Sequence, residues 1–111
     1  MNKPALIFVA SLLSGYAQAA PPVCLAAAAL HAVDYLQTRE IARNPAFIER
    51  NPILGETPSQ AAIAAYFLST GLLLYTACKH NYGGALLQYG WLVVEAGAVT
   101  NNIAIGVKIS F

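Results

Sequence analysis

From Thr57 to Cys78 the chain runs for 22 residues, TPSQAAIAAYFLSTGLLLYTAC, without one charged side chain. A helix needs about 20 consecutive, mostly apolar residues to cross the hydrocarbon core of a bilayer. This stretch therefore reads as a transmembrane helix, and its Ser, Thr and Gly residues do not alter that. The composition points the same way: 58% of the 111 residues are hydrophobic and 10% are charged, against roughly 25% charged in an average soluble domain. Six Lys and Arg against five Asp and Glu leave a formal charge of +1, too weak a basic field to hold nucleic acid. The length suits one small domain.

At the start of the chain, Lys3 precedes an apolar core from Ala5 to Leu13, and Ala17 and Ala19 flank Gln18. That is the pattern of a secretory signal peptide with an A-x-A cleavage site. Residues 1–19 are thus expected to be a signal peptide and residues 20–111 a single helical membrane domain, with an uncleaved anchor as the alternative. Cys24 follows Pro21-Pro22-Val23, which lacks the Leu and the small residue of a lipoprotein box. No lipid anchor is expected.

Val23 to Leu36 is apolar apart from His31 and Asp34, and helix formers continue the run, so a helix is predicted from about Pro22 to Arg43. Its uninterrupted apolar part is short enough to be a buried or interfacial helix instead of a span. A third helix is predicted from about Ala85 to Asn102, with Glu95 its only charge and Tyr82, Tyr89 and Trp91 near its beginning, as interfacial aromatics often are. Small residues at Ala28 and Ala32, at Ala61 and Ala65, and at Gly90 and Ala96-Gly97-Ala98 would let helices approach closely. The expected fold is all-α: a signal peptide, then three helices, two to three of them transmembrane, and a short extended C-terminal tail.

ERNPILGETPS, residues 49–59, joins the first two helices. Proline fixes its own φ and pushes the preceding residue out of the helical region, so Asn44-Pro45 should stop the first helix and Asn51-Pro52 should turn the chain. Gly55 can take a positive φ. Thr57, Pro58 and Gln60 supply an N-cap, a proline at the first helical position and a capping-box residue. The loop residues Glu49, Asn51, Pro52, Gly55, Thr57 and Pro58 therefore read as a stop, a corner and a start. A docking loop for a partner is the functional alternative.

Ile103, Ile105, Val107, Ile109 and Phe111 alternate with small or polar residues, which is a strand period. A terminal Phe after such an alternation resembles the last strand of an outer-membrane barrel. One strand cannot close a barrel, so the inner membrane is the expected location and the outer membrane the alternative. If the first helix spans, Arg39, Arg43, Arg50 and Lys108 lie on the cytoplasmic side and only Lys79 outside, as the positive-inside rule asks. That topology places Cys24 and Cys78 near the periplasmic surface, where a disulfide could form; two unpaired buried thiols are the other reading.

The same topology puts His31, Asp34 and Glu95 at a similar depth, about 12 to 17 Å from the helix starts at 1.5 Å per residue. Ionisable groups at such depth are costly and usually face the bundle interior. Gln88, Glu95 and Asn102 recur at seven-residue spacing on the third helix, and His31, Asp34, Gln37 and Thr38 lie on the first, with Tyr35 beside them. One polar seam is expected to join the two helices. It can be a hydrogen-bonded staple, with Glu95 protonated or paired to His31. It can be a proton relay or ion-binding group in a transport subunit, or it can line a small substrate path or contact another subunit. No hydrolase, nucleotide-binding, thiol-redox or dinucleotide motif is present. The expectation is a protein that is not an enzyme, with no cofactor and no bound metal. Its partners would be the lipid bilayer and a membrane protein or further copies of itself.

Asp34-Tyr35-Leu36-Gln37-Thr38, Glu49-Arg50-Asn51-Pro52-Ile53-Leu54-Gly55 followed by Pro58-Ser59, Tyr66-Phe67, and Asn102-Ile103-Ala104-Ile105-Gly106 with terminal Phe111 form a combination that extends over residues 31–111. It resembles a group of small uncharacterised membrane proteins of bacteria, often found in phages and prophages. The D-x-x-Q-T and E-x-N-P-I-L-G-x-x-P-S elements carry the resemblance, and Tyr35 stands where a tryptophan is expected. The resemblance implies a phage or mobile-element role and no known activity.

Overall fold

The computed structural model describes residues 20–110. The signal-peptide reading of residues 1–19 and the terminal Phe111 lie outside them. Three helices follow in order: α1 from Pro22 to Arg43, α2 from Gln60 to Lys79 and α3 from Gly84 to Ala104. Consecutive helices run antiparallel, so α1 and α3 run parallel, and α1 is the central element, packing extensively on both α2 and α3 while these two touch each other less. Among the described residues there is no strand.

Each boundary has a local cause. Pro22 sits in the first turn of α1, where its missing N–H would have no partner in any case. At the other end Asn44 takes an extended conformation before Pro45, as a residue preceding proline should. The connection to α2 then uses one device twice. Asn44 Oδ1 accepts from Ala46 N–H and Asn51 Oδ1 from Ile53 N–H, both at 2.9 Å. Each is an Asx turn closed across a proline. Gly55 completes the second turn at φ +80°, and its N–H donates to Asn51 O.

The start of α2 differs from the expected one. The helix begins at Gln60, and its N-cap is Ser59, whose Oγ accepts from Ala62 N–H at 3.1 Å. Thr57 precedes Pro58, so it is held extended, and the cap moves to the first residue free of that restraint. Gln60 forms no capping box; its amide donates to Arg39 O across the helix pair. At the far end of α2, Asn81 adopts φ +58°, and Tyr82 N–H donates to Ala77 O and Asn81 N–H to Cys78 O. That is the Schellman arrangement, with asparagine in the left-handed position.

The tail departs from its strand-like alternation. Ile103 and Ala104 belong to α3, Gly106 turns the chain at φ +93°, and residues 107–110 carry no regular structure. Val107 is buried while Ile103 and Ile105 are exposed, so the alternating residues do not share a face. The extended part is short and folds back: Val107 N–H donates to Asn102 O, and Ser110 Oγ donates to Glu40 on α1.

Cys24 and Cys78 form a disulfide, with Cα atoms 5.8 Å apart, that ties the start of α1 to the end of α2. Around it lies the hydrophobic core of Cys24, Ala27, Cys78 and Trp91, flanked by Leu74, Leu87 and Leu92. Only α2, among the described residues, is both long and apolar enough to cross a membrane. The other two helices fall short because α1 carries Arg39, Glu40 and Arg43 along with His31 and Asp34, and α3 carries Gln88, Glu95, Asn101 and Asn102.

Candidate functional site: the buried polar seam

The bundle interior holds a set of polar side chains beside its hydrophobic core, while large aliphatic side chains lie on its surface. His31, Gln37, Thr38, Glu95 and Asn102 are all buried, whereas Leu68, Leu72 and Leu73 of α2 and Leu86, Val93 and Val94 of α3 are exposed. The buried groups fall into two layers separated by about one and a half turns of α1.

The first layer centres on His31. Its Nε2 lies 2.9 Å from Phe67 O, and a carbonyl can only accept, so Nε2 carries a hydrogen and donates it. Thr70 Oγ1, which donates to Tyr66 O at 2.7 Å, stands 3.3 Å from the same nitrogen. On the other side of the ring, Nδ1 lies 2.7 Å from Glu95 Oε1. With Nε2 already a donor, one proton is shared along that line: it makes an imidazolium and a carboxylate, or an imidazole and a carboxylic acid. Both forms are neutral as a pair, and the distance is that of a charge-assisted bond. Phe67 and Trp91 pack on the imidazole, with ring centroids 5.0 and 6.0 Å away.

Gly71 makes this contact with α2 feasible. A Cβ at that position would stand 3.2 Å from His31 Cδ2 and 3.3 Å from Nε2. Gly71 is also the residue four places after Phe67, next to the carbonyl that His31 reaches, so its missing side chain leaves that carbonyl uncovered. Asp34, one turn beyond His31, accepts from Thr38 Oγ1 at 3.4 Å. Its carboxyl and that of Glu95 interact electrostatically.

The second layer joins α1 to α3. Asn102 Nδ2 donates to Gln37 Oε1 at 2.9 Å, and Gln37 Nε2 donates to Val99 O at 3.4 Å. Gln88, at the same seven-residue spacing on α3, does not take part. Its amide donates at 3.0 Å to Cys78 O, where it holds the end of α2 beside the disulfide. The predicted single seam between α1 and α3 is thus two buried layers, the upper one reaching α2, with Gln88 as a separate tie.

Sequence reasoning missed the α2 side of this site: the Phe67 carbonyl, Thr70 and Gly71. Its one visible signal was Ser69-Thr70-Gly71 in the middle of an apolar run. Trp91 was read as an interfacial aromatic, yet it is buried against His31 and Cys24.

Among the described residues, no group of three or more His, Cys, Asp or Glu side chains is arranged to hold a metal ion. Both imidazole nitrogens of His31 are already engaged. A cavity of 620 Å³ opens between α1 and α2, walled by Ala28, Ala32, Ala64, Leu68 and Leu72, with His31 and Trp91 also in its lining. Within the loop Asn51 N–H donates to Glu49 Oε1 and Glu49 N–H donates to Glu56 O, while Glu49 Oε2 is buried without a partner. No protein-family model, curated protein or solved structure matches this chain.

Proposed function

We propose that this chain is a small integral membrane protein of the bacterial cell envelope with a structural or interaction role, and that, as the sequence resemblance implies, a phage or prophage encodes it. The observation that carries the reading is the pairing of buried polar side chains, which bond across the helices beside the hydrophobic core, with rows of large aliphatic side chains that face out. In water, burying five polar side chains while exposing rows of Leu and Val forfeits the hydrophobic driving force. In a bilayer the same arrangement is the stable one, because lipid covers the aliphatic faces and the polar groups satisfy each other.

The low hydropathy of α1 and α3 fits this reading. Their polar groups point at one another, so each helix is less apolar than the surface the bundle presents. At 1.5 Å per residue, helices of 20 to 22 residues measure about 30 to 33 Å, which matches a hydrocarbon core of about 30 Å. The seam supports a staple more than a substrate path, since His31, Gln37 and Asn102 each bond to a neighbouring helix. A membrane-protein partner, or another copy of the chain, would meet the exposed faces of α2 and α3.

Alkaline carbonate extraction of membranes from cells making the chain is the direct test. Retention in the membrane pellet is expected, and release into the supernatant with peripheral proteins would overturn the reading.

A further inference from the structure

Among the described residues two carboxylate oxygens are buried without a hydrogen-bond donor, Glu49 Oε2 in the α1–α2 connection and Glu95 Oε2 inside the bundle. Glu95 is 6% exposed, and while its Oε1 meets His31, its Oε2 is buried with no hydrogen-bond donor. Burial of an unpaired carboxylate oxygen is costly. Two groups stand near it. Trp91 adjoins the same carboxyl, but its Nε1–H is not in hydrogen-bond geometry with it and is itself unpartnered. The second is the Asp34 carboxyl, one turn along α1 from His31 and in electrostatic contact with Glu95. Two ionised carboxylates only accept, so this contact is favourable only if a proton lies between them.

We propose that His31, Asp34 and Glu95 together form a proton-binding site: Glu95 is a carboxylate that accepts on one oxygen from a doubly protonated His31 and on the other from a protonated Asp34. The charges then sum to zero: one imidazolium, one carboxylate and one neutral acid. Neutrality is what a bilayer interior demands, and only for that point does the inference lean on the membrane reading; the orphan oxygen needs a donor in any surroundings.

Besides His31, the surroundings supply no counter-charge, and the one other donor beside the carboxyl, Trp91 Nε1–H, is not in hydrogen-bond geometry with it. From α2 the facing groups are the Phe67 carbonyl and the Thr70 hydroxyl, both directed at His31, and the only charged side chain of α2, Lys79, lies at its far end. From α3 the facing groups are Glu95 and the Trp91 indole. From the α1–α2 connection the charged group that bears on Asp34 is Glu49, a further carboxylate and not a counter-charge. Loss of the Asp34 proton would set two carboxylates against each other across the α1–α3 contact. The bundle should therefore loosen as pH rises, not as it falls.

Infrared spectroscopy of the full chain in detergent micelles tests this, because a protonated carboxyl has a C=O stretch separate from the carboxylate and amide bands. At neutral pH the wild type is expected to show that band. Asp34→Asn, whose amide can donate to Glu95 Oε2, should abolish it, and Glu49→Gln should keep it. On raising the pH the wild-type unfolding temperature should drop together with the band, while that of Asp34→Asn should not. A wild type without the band, or a band that survives in folded Asp34→Asn, would overturn the proposal. Neither result depends on carbonate extraction, so the two readings can fail separately.

Discussion

His31 holds three helices with one ring, so its removal should cost more than a single hydrogen bond. His31→Ala deletes the donor to Phe67 O on α2 and strips Glu95 Oε1 of its partner on α3. Breaking a buried pair from one side typically costs about 3–5 kcal/mol, because the surviving charge stays buried. A loss of that order is expected in denaturant titrations in micelles, and a loss below 1 kcal/mol, on the scale of an exposed pair, would mean that water reaches Glu95. Gly71 tests the same contact from the opposite side. Gly71→Ala sets a methyl 3.2 Å from the imidazole, and overpacking of that kind costs about 1–3 kcal/mol. Gly90 and Gly97 have nothing within 4 Å of an added Cβ. Alanine there is expected to be neutral or to stabilise by up to about 1 kcal/mol through helix propensity alone. Unfolding midpoints of the three variants side by side would show the difference.

The elements repeat this contrast between what is local and what is not. Ser59→Ala removes the side-chain cap of α2 and should cost about 1 kcal/mol, whereas Thr57→Ala should cost little, since Thr57 caps nothing. The disulfide constrains more of the chain. It closes a loop of 54 residues, for which the chain-entropy estimate is about 4 kcal/mol; the double Cys24→Ala, Cys78→Ala variant should unfold correspondingly earlier, and reduction should shift the mobility of the wild type on a gel. Helix extents and turns were legible in the sequence because their causes are local: a charge-free run, an Asn before each proline, a glycine at a positive φ. The cap was misplaced by two residues because Pro58 restrains Thr57, a neighbour effect that a capping pattern does not weigh. His31, Asp34 and Glu95 were legible as costly residues in apolar runs. Their α2 partner was not, because a backbone carbonyl has no sequence signature and Gly71 draws attention only once His31 is seen against it. The alternation of residues 103–109 misled for a related reason, since period two does not reveal that α3 continues through Ala104.

For the whole molecule, two independent features select one orientation in the proposed membrane. The antiparallel bundle gathers the disulfide, Lys79 and the start of α3 at one end, and Arg39, Arg43, Arg50 and Lys108 at the other. A disulfide persists in an oxidising compartment, and cationic loops stay on the cytoplasmic side; both rules put the Cys24 end outside. Ile53 is 77% exposed at the tip of the opposite loop, so Ile53→Cys in a background lacking both native cysteines reports on that end. With a membrane-impermeant maleimide, this variant is expected to label only after lysis. Tyr82→Cys in the same background, at the disulfide end and 76% exposed in the native chain, should label in intact cells once the outer membrane is permeabilised. Labelling of Ile53→Cys before lysis would place the arginine-rich loop outside. The disulfide end would then lie in a reducing compartment, and the bundle would have to owe its stability to the His31 and Gln37 layers without the covalent tie.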